Sequence, residues 1–278
     1  MLITQLRQHW TQFRANRFIA QSKHQLVMRD MPSDLFLYWQ DVAPSEFPGI
    51  PQNAFFFARA SEGLIQFFEC VAYSKHACAL PSKAADSVWH AWNKYSSLSL
   101  DKFCLKHFGR TIPHLEDTKM QSSMDNALAA CLVAARRLSH ISEFSTEVPP
   151  LFSLDARLKM PKGYAYQYTA GKLGFRNISS AGAPLGSLHF PESFQPAELF
   201  ALGLISAEAY HITQQQALAR ARNHAAMQSS DVGASCGSFS ADCGTGNDCS
   251  AGNSGDCGGP SAGSSCGSSC GSSCGSSS

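Results

Sequence analysis

The chain has no run of lysine or arginine and almost no net charge: 22 basic against 21 acidic side chains leave +1. Binding to nucleic acid draws on clustered cations that neutralise phosphates, so nucleic acid is not expected as a partner. Long apolar runs are missing as well. The longest, residues 127–135, has nine residues, about half of the roughly 18 that a bilayer crossing needs, and no membrane is expected as a partner. The opening MLITQLRQHW is interrupted by Gln5, Arg7, Gln8 and His9, which leaves no apolar stretch for a signal peptide. A cytoplasmic location is therefore expected, with the cysteines mostly reduced. The patterns GxGxxG, GxxxxGK[ST] and HExxH do not occur, so dinucleotide, P-loop and zincin readings lack their starting point. The stretch GAPLGS at 182–187 has neither the lysine nor the strand-helix setting of a phosphate loop and reads as a plain loop.

An apolar content of 44% in 278 residues is enough for a real core. Phe57, Ala60, Leu64, Phe67 or Phe68, and Val71 return every three or four residues, as one helix face does, and that helix is expected to be central. Ser82, after Pro81, is placed to cap a helix over about 83–95 that carries Ala85, Val88, Trp89 and Trp92. Leu100, Phe103 and Phe108 predict a short helix that Gly109 can end in the left-handed conformation. Met124, Leu128, Cys131, Ala135 and Leu138 form a further stripe. Between Glu147 and Pro196 the periodicity fails, with repeated Pro and Gly. Short strands at 164–169 and 173–178 can form a hairpin around Gly171, and helices are expected again over 197–202 and from Ala207 through Met227, the latter capped by Ser206. Ala217 to His224, with Arg220 and Arg222, reads as a solvated helix face. The fold class predicted is mainly α. Residues 1–146 form a helical domain, 147–227 an irregular segment plus C-terminal helices packed on it, and 228–278 a disordered tail.

That tail holds 17 Ser, 12 Gly and no Lys or Arg, and cannot bury enough apolar area to offset the entropy of ordering its backbone. Seven of the 11 cysteines fall in it, and from Cys266 it repeats as CGSSCGSSCGSS, with thiols at Cys266, Cys270 and Cys274. Thiols on a flexible string can gather around a soft ion such as Zn²⁺ or Cu(I). Two other readings stand beside this one: a solubilising low-complexity tail, and a Ser/Cys-Gly substrate for heterocyclisation, resembling modified microcin precursors in composition alone.

In the body, Asp86 and His90 are i and i+4 on one helix, so the carboxylate can orient the imidazole. Cys104 and His107 share a face of the next helix, and His114 follows its end. His90, Cys104, His107 and His114 are four soft or borderline ligands within 25 residues and can converge on a zinc-type site, or Cys104 and His107 can act as a catalytic pair. The spacing matches no standard zinc module. The plainer alternative makes His90 a core residue bonded to Asp86 and Cys104 a small core hydrophobe.

The segment 82–114, SKAADSVWHAWNKYSSLSLDKFCLKHFGRTIPH, resembles the glycine-rich domain-containing protein-like family. The likeness rests on Pro81-Ser82, Asp86, Trp89-His90, Phe103-Cys104, Gly109 and His114, and on the Gly-rich tail with spaced cysteines. It implies a helical domain and carries no activity with it. The expected function is a non-enzymatic helical binding module whose tail captures soft metal ions or partners. The alternatives are an enzyme or zinc site built on the His/Cys cluster, and the precursor of a Ser/Cys-modified peptide.

Overall fold

The computed structural model describes residues 2–114, 121–142 and 145–230. Residues 228–230, expected to open the disordered tail, are the last of a helix that runs to Ser230, and 231–278, with Cys266, Cys270 and Cys274, lie outside the described residues. Met1–Ser230 form one compact unit. It is mainly helical: α1 (Leu2–Gln21), α2 (Gln25–Arg29), α3 (Leu35–Glu46), α4 (Ala54–Tyr73), α5 (Lys83–Phe108), α6 (Gln121–Leu138), α7 (Leu154–Leu158), α8 (Pro196–Ala201) and α9 (Ala207–Ser230), with three strands, β1 (Tyr164–Thr169), β2 (Lys172–Ile178) and β3 (Pro184–His189). No helix among the described residues is long and apolar enough to cross a membrane.

α4 is the expected central helix. Asn53 caps it, its side chain accepting from Phe56 N, and α1, α2, α5, α6 and α7 all pack against it. More than one face is therefore buried: beside the predicted stripe, Phe56, Ile65 and Cys70 are also inside. Gly63 admits α7, since a Cβ there would sit 2.3 Å from Leu154 Cδ2. Trp39 on α3 is fully buried; its indole N–H donates to Ser87 Oγ of α5 at 3.1 Å.

α5 runs as two limbs. Ser82 caps the first, accepting from Ala85 N, and the backbone leaves the helical range at Ser96 (φ −169°, ψ 101°). The Trp92 and Phe103 rings then lie 4.7 Å apart, whereas 11 residues of straight helix would span about 16 Å. The second limb therefore folds back along the first. Gly109 ends it at φ 72°, in the left-handed region.

The expected hairpin forms in full register, Tyr166 opposite Phe175, through a two-residue turn in which Ala170 (φ 49°) and Gly171 (φ 79°) both take positive φ, as a type I′ turn requires. The plain loop expected at 182–187 is corrected. Pro184–His189 pair with β2 as an edge strand with a register shift. Pro184 stands at the first strand position, where no ladder donor is needed, and Gly186 takes φ 80°, so the usual breakers do not exclude pairing here. α9 starts where expected, with Ser206 Oγ accepting from Ala209 N, and residues 217–223 are exposed.

The chain between α1 and α2 is tied to α4 by a buried charge group. His24 is 3% exposed. Its Nε2 donates to Glu69 Oε2 at 3.0 Å, and its Nδ1 lies 3.7 Å from Glu62 Oε1, an ion-pair distance. Burial pulls the imidazole pKa down, and the two glutamates more than reverse this, so it stands above its ordinary 6.5. Burial pushes Glu62 and Glu69 up, and His24 with its neighbours brings both below their ordinary 4.5. The signs fix a window. The histidine's contribution is full below its unfolded value and is lost as pH rises through the raised folded value. The glutamates' contribution is full above their unfolded value and is lost as pH falls through the lowered one. The expected result is that the stability difference between the wild type and His24→Gln is greatest between about pH 4.5 and 6.5 and shrinks toward pH 8; urea unfolding across that range measures it.

Candidate metal centre

The first limb of α5 presents Asp86 and His90 one turn apart, and the chain beyond Gly109 brings His114 back to them. His114 Nε2 lies 3.1 Å from Asp86 Oδ1 and His90 Nε2 lies 3.5 Å from the same oxygen. One ligand atom of each of the three residues lies within 4.8 Å of the others, the group of this kind found among the described residues. Metal-to-ligand bonds of about 2.0–2.2 Å place neighbouring tetrahedral ligands about 3.4 Å apart, and the two measured separations straddle that value. The Asp86, His90 and His114 side chains are 30%, 33% and 20% exposed, so the centre borders solvent.

Tertiary contacts hold the donors. His90 Nδ1 lies 2.6 Å from Glu46 Oε2, at the end of α3. An ionised carboxylate only accepts, so Nδ1 donates to Glu46, and Nε2 is the ring nitrogen left on the Asp86 side. This carboxylate-histidine arrangement is the one that orients metal-binding imidazoles. Lys94 also donates to Glu46. Burial pushes the Glu46 carboxyl up, but the hydrogen bonds from Lys94 and His90 outweigh it and hold the group below its ordinary value. The His114 ring meets those of Trp89 and His90 edge to face, at 4.4 Å and 4.6 Å between centroids. Its Nε2 now carries the proton shared with Asp86. Metal binding there requires that proton to leave or to move to Nδ1.

Two of the four residues expected to converge are placed elsewhere. Cys104 is buried on the inward stripe with Leu100 and Phe103; burial, with the nearby Asp101 charge, pushes its thiol up to about 12. It packs in the core and is not part of the Asp86, His90 and His114 group. His107, one turn on, flanks that stripe, and its Nε2 donates to Asp30 Oδ2 at 2.8 Å, beside Lys106 at 2.6 Å. The expected role of Asp86 changes too. Glu46 orients His90, and Asp86 faces the donor cluster itself. Glu46 carries no local sequence signal, being 44 residues from His90.

A second group went unread in the sequence. The thiols of Cys70, Cys78 and Cys131 lie together where α4, the 74–82 connector and α6 meet, and Cys78 Sγ donates to Cys70 O at 3.8 Å. Bonding to Cys131 lowers the Cys78 thiol against the opposing effect of burial, and burial raises Cys131 well above its ordinary value.

Among known families, the model of the family described as UCP032817-like matches residues 56–181, a stretch that holds Asp86, His90, His114 and Asp155 but not Glu46. No curated protein and no solved structure matches the chain.

Proposed function

We propose that this protein is a non-enzymatic metal-binding module. Its helical body holds a divalent first-row ion, zinc in the first instance, on Asp86, His90 and His114, and its tail thiols take soft ions. The observation that carries this reading is the pair of 3.1 and 3.5 Å separations to one Asp86 oxygen, with the far nitrogen of His90 fixed by Glu46. Three protein donors beside solvent leave a position for water or a further ligand, and a two-histidine, one-carboxylate set suits zinc or ferrous iron. Cys266, Cys270 and Cys274 supply soft ligands at four-residue spacing and would compete for zinc, so the tail must be silenced in the test. The likeness to the glycine-rich domain-containing protein-like family is part of the same proposal. It is supported by the distinct uses of its motif residues: Trp89 walls His114, Phe103 packs on Trp92 and Gly109 ends the helix.

The experiment is Zn²⁺ and Co²⁺ titration of the full chain with all seven tail cysteines changed to Ser. One ion per chain is expected, with a Co²⁺ spectrum lacking thiolate charge-transfer bands. His90→Ala and His114→Ala should each weaken binding by about 100-fold, and Glu46→Ala by about 10- to 100-fold through the lost orientation of His90. Unchanged affinity in the His90→Ala/His114→Ala double variant, with an intact circular dichroism spectrum, sinks the proposal.

A further inference from the structure

A cleft of about 740 Å³ opens between α6, the turn of the β1-β2 hairpin, and α8 and α9. This is within the roughly 300–1,000 Å³ that small-molecule sites occupy. Its floor is made by Val133, Leu173, Phe194, Leu199 and Ile205, each less than a tenth exposed. A fully polar ligand would lose its hydration there with nothing to replace it, so the occupant has an apolar body.

Among the described residues, the charged side chains that line the cleft are all cationic. Lys172 starts β2, and Arg220 reaches over the hairpin turn from α9, its Nη1 3.5 Å from where a Cβ on Gly171 would stand. Deeper in, Arg136 donates to Ser145 O at 2.8 Å and to the Tyr168 hydroxyl, with its guanidinium 5.5 Å from the Tyr168 ring. No Asp or Glu stands among the described residues of the lining. Cationic groups beside an apolar floor focus a positive potential on the opening.

We propose that this cleft binds a free carboxylic acid with an apolar chain. The chain lies on the Leu173, Phe194 and Leu199 floor, and the carboxylate meets Arg220 and Lys172 at the mouth. The site is separate from the Asp86, His90 and His114 cluster and does not depend on any metal there.

Calorimetric titration of the full chain with decanoate, decyltrimethylammonium and acetate tests it. Decanoate should bind at micromolar concentrations, at least tenfold more tightly than the cation of the same chain length, and acetate should not bind measurably. Lys172→Ala/Arg220→Ala replaces two exposed side chains whose ion contacts are each worth little on their own. It should weaken decanoate about three- to thirtyfold and leave the cation unaffected. Ala217→Trp, on the exposed part of α9 that lines the cleft, should abolish decanoate binding by filling the space. Equal affinity for the two chain probes, or decanoate binding unchanged by Ala217→Trp, overturns the proposal, as does the absence of decanoate binding below millimolar concentration.

Discussion

Asp155→Ala should cost about 3–5 kcal/mol of folding stability, the range for stripping one partner from a buried charged network, and it should loosen the proposed metal site at the same time. Asp155 is 1% exposed. Its Oδ1 accepts from Ser82 Oγ at 2.6 Å and Ala84 N at 3.0 Å, and its Oδ2 accepts from Lys83 N and Tyr164 N, each at 3.0 Å. Four donors and no acceptor mark the carboxylate as ionised even though burial pushes its pKa up. It therefore satisfies orphan N–H groups in the first turn of α5 and complements the helix dipole there, while tying that turn to the start of β1. Alanine would leave those donors buried and unpaired, each at about 1–3 kcal/mol before relaxation. Asparagine should help little, because either orientation of its amide sets an NH₂ against two donors. A Gly163→Ala change should act in the same direction, since its Cβ would fall 2.6 Å from Asp155 Oδ2. Urea unfolding measures the loss, and a cost below about 1 kcal/mol for Asp155→Ala would show that water replaces the carboxylate. Because Asp86 and His90 ride on the next turns of α5, zinc affinity is expected to fall with it.

Trp89→Ala should cost a comparable amount, about 3–5 kcal/mol, as a large-to-small change in a packed core. Trp89 is 5% exposed, and its ring contacts those of Phe67 and Phe68 at 5.4 and 5.3 Å between centroids and that of His114 at 4.4 Å. The change removes core volume and the wall behind His114 together, so zinc affinity should drop in parallel. The indole N–H of Trp89 is buried without a hydrogen-bond partner. Trp89→Phe should therefore be far milder than Trp89→Ala, keeping the ring contacts and removing an unpaired donor. Thermal and urea unfolding of the two variants separates volume from polarity. Equal losses in both would assign the indole N–H a partner.

The Asp86, His90 and His114 cluster shows where local reading succeeds and where it stops. The i, i+4 relation of Asp86 and His90 is a property of any helix through them, and both do face one cluster. Cys104 and His107 are close to them in sequence and chemically apt. Yet residues three apart on a helix need not share an environment once one edge of the stripe is inside. Cys104 took the core position, and His107 was met at the flank by Asp30 from another part of the chain.

The sequence by itself determined what depends on near neighbours. The stripes that became α4 and α6, the Ser82 and Ser206 caps, the left-handed end at Gly109 and the hairpin over 164–178 are all set by interactions within about one helical turn or one two-residue loop. The composition of residues 228–278 likewise states its own low apolar content. The tertiary structure alone decided which groups meet. The bend at Ser96 folds the second limb of α5 back and returns His114 to Asp86, 28 residues away. The packing of α3 on α5 brings Glu46 to His90 across 44 residues, and α7 carries Asp155 to Ser82 across 73. Contacts over such separations are fixed by how buried faces fit together, and no spacing along the chain encodes that fit.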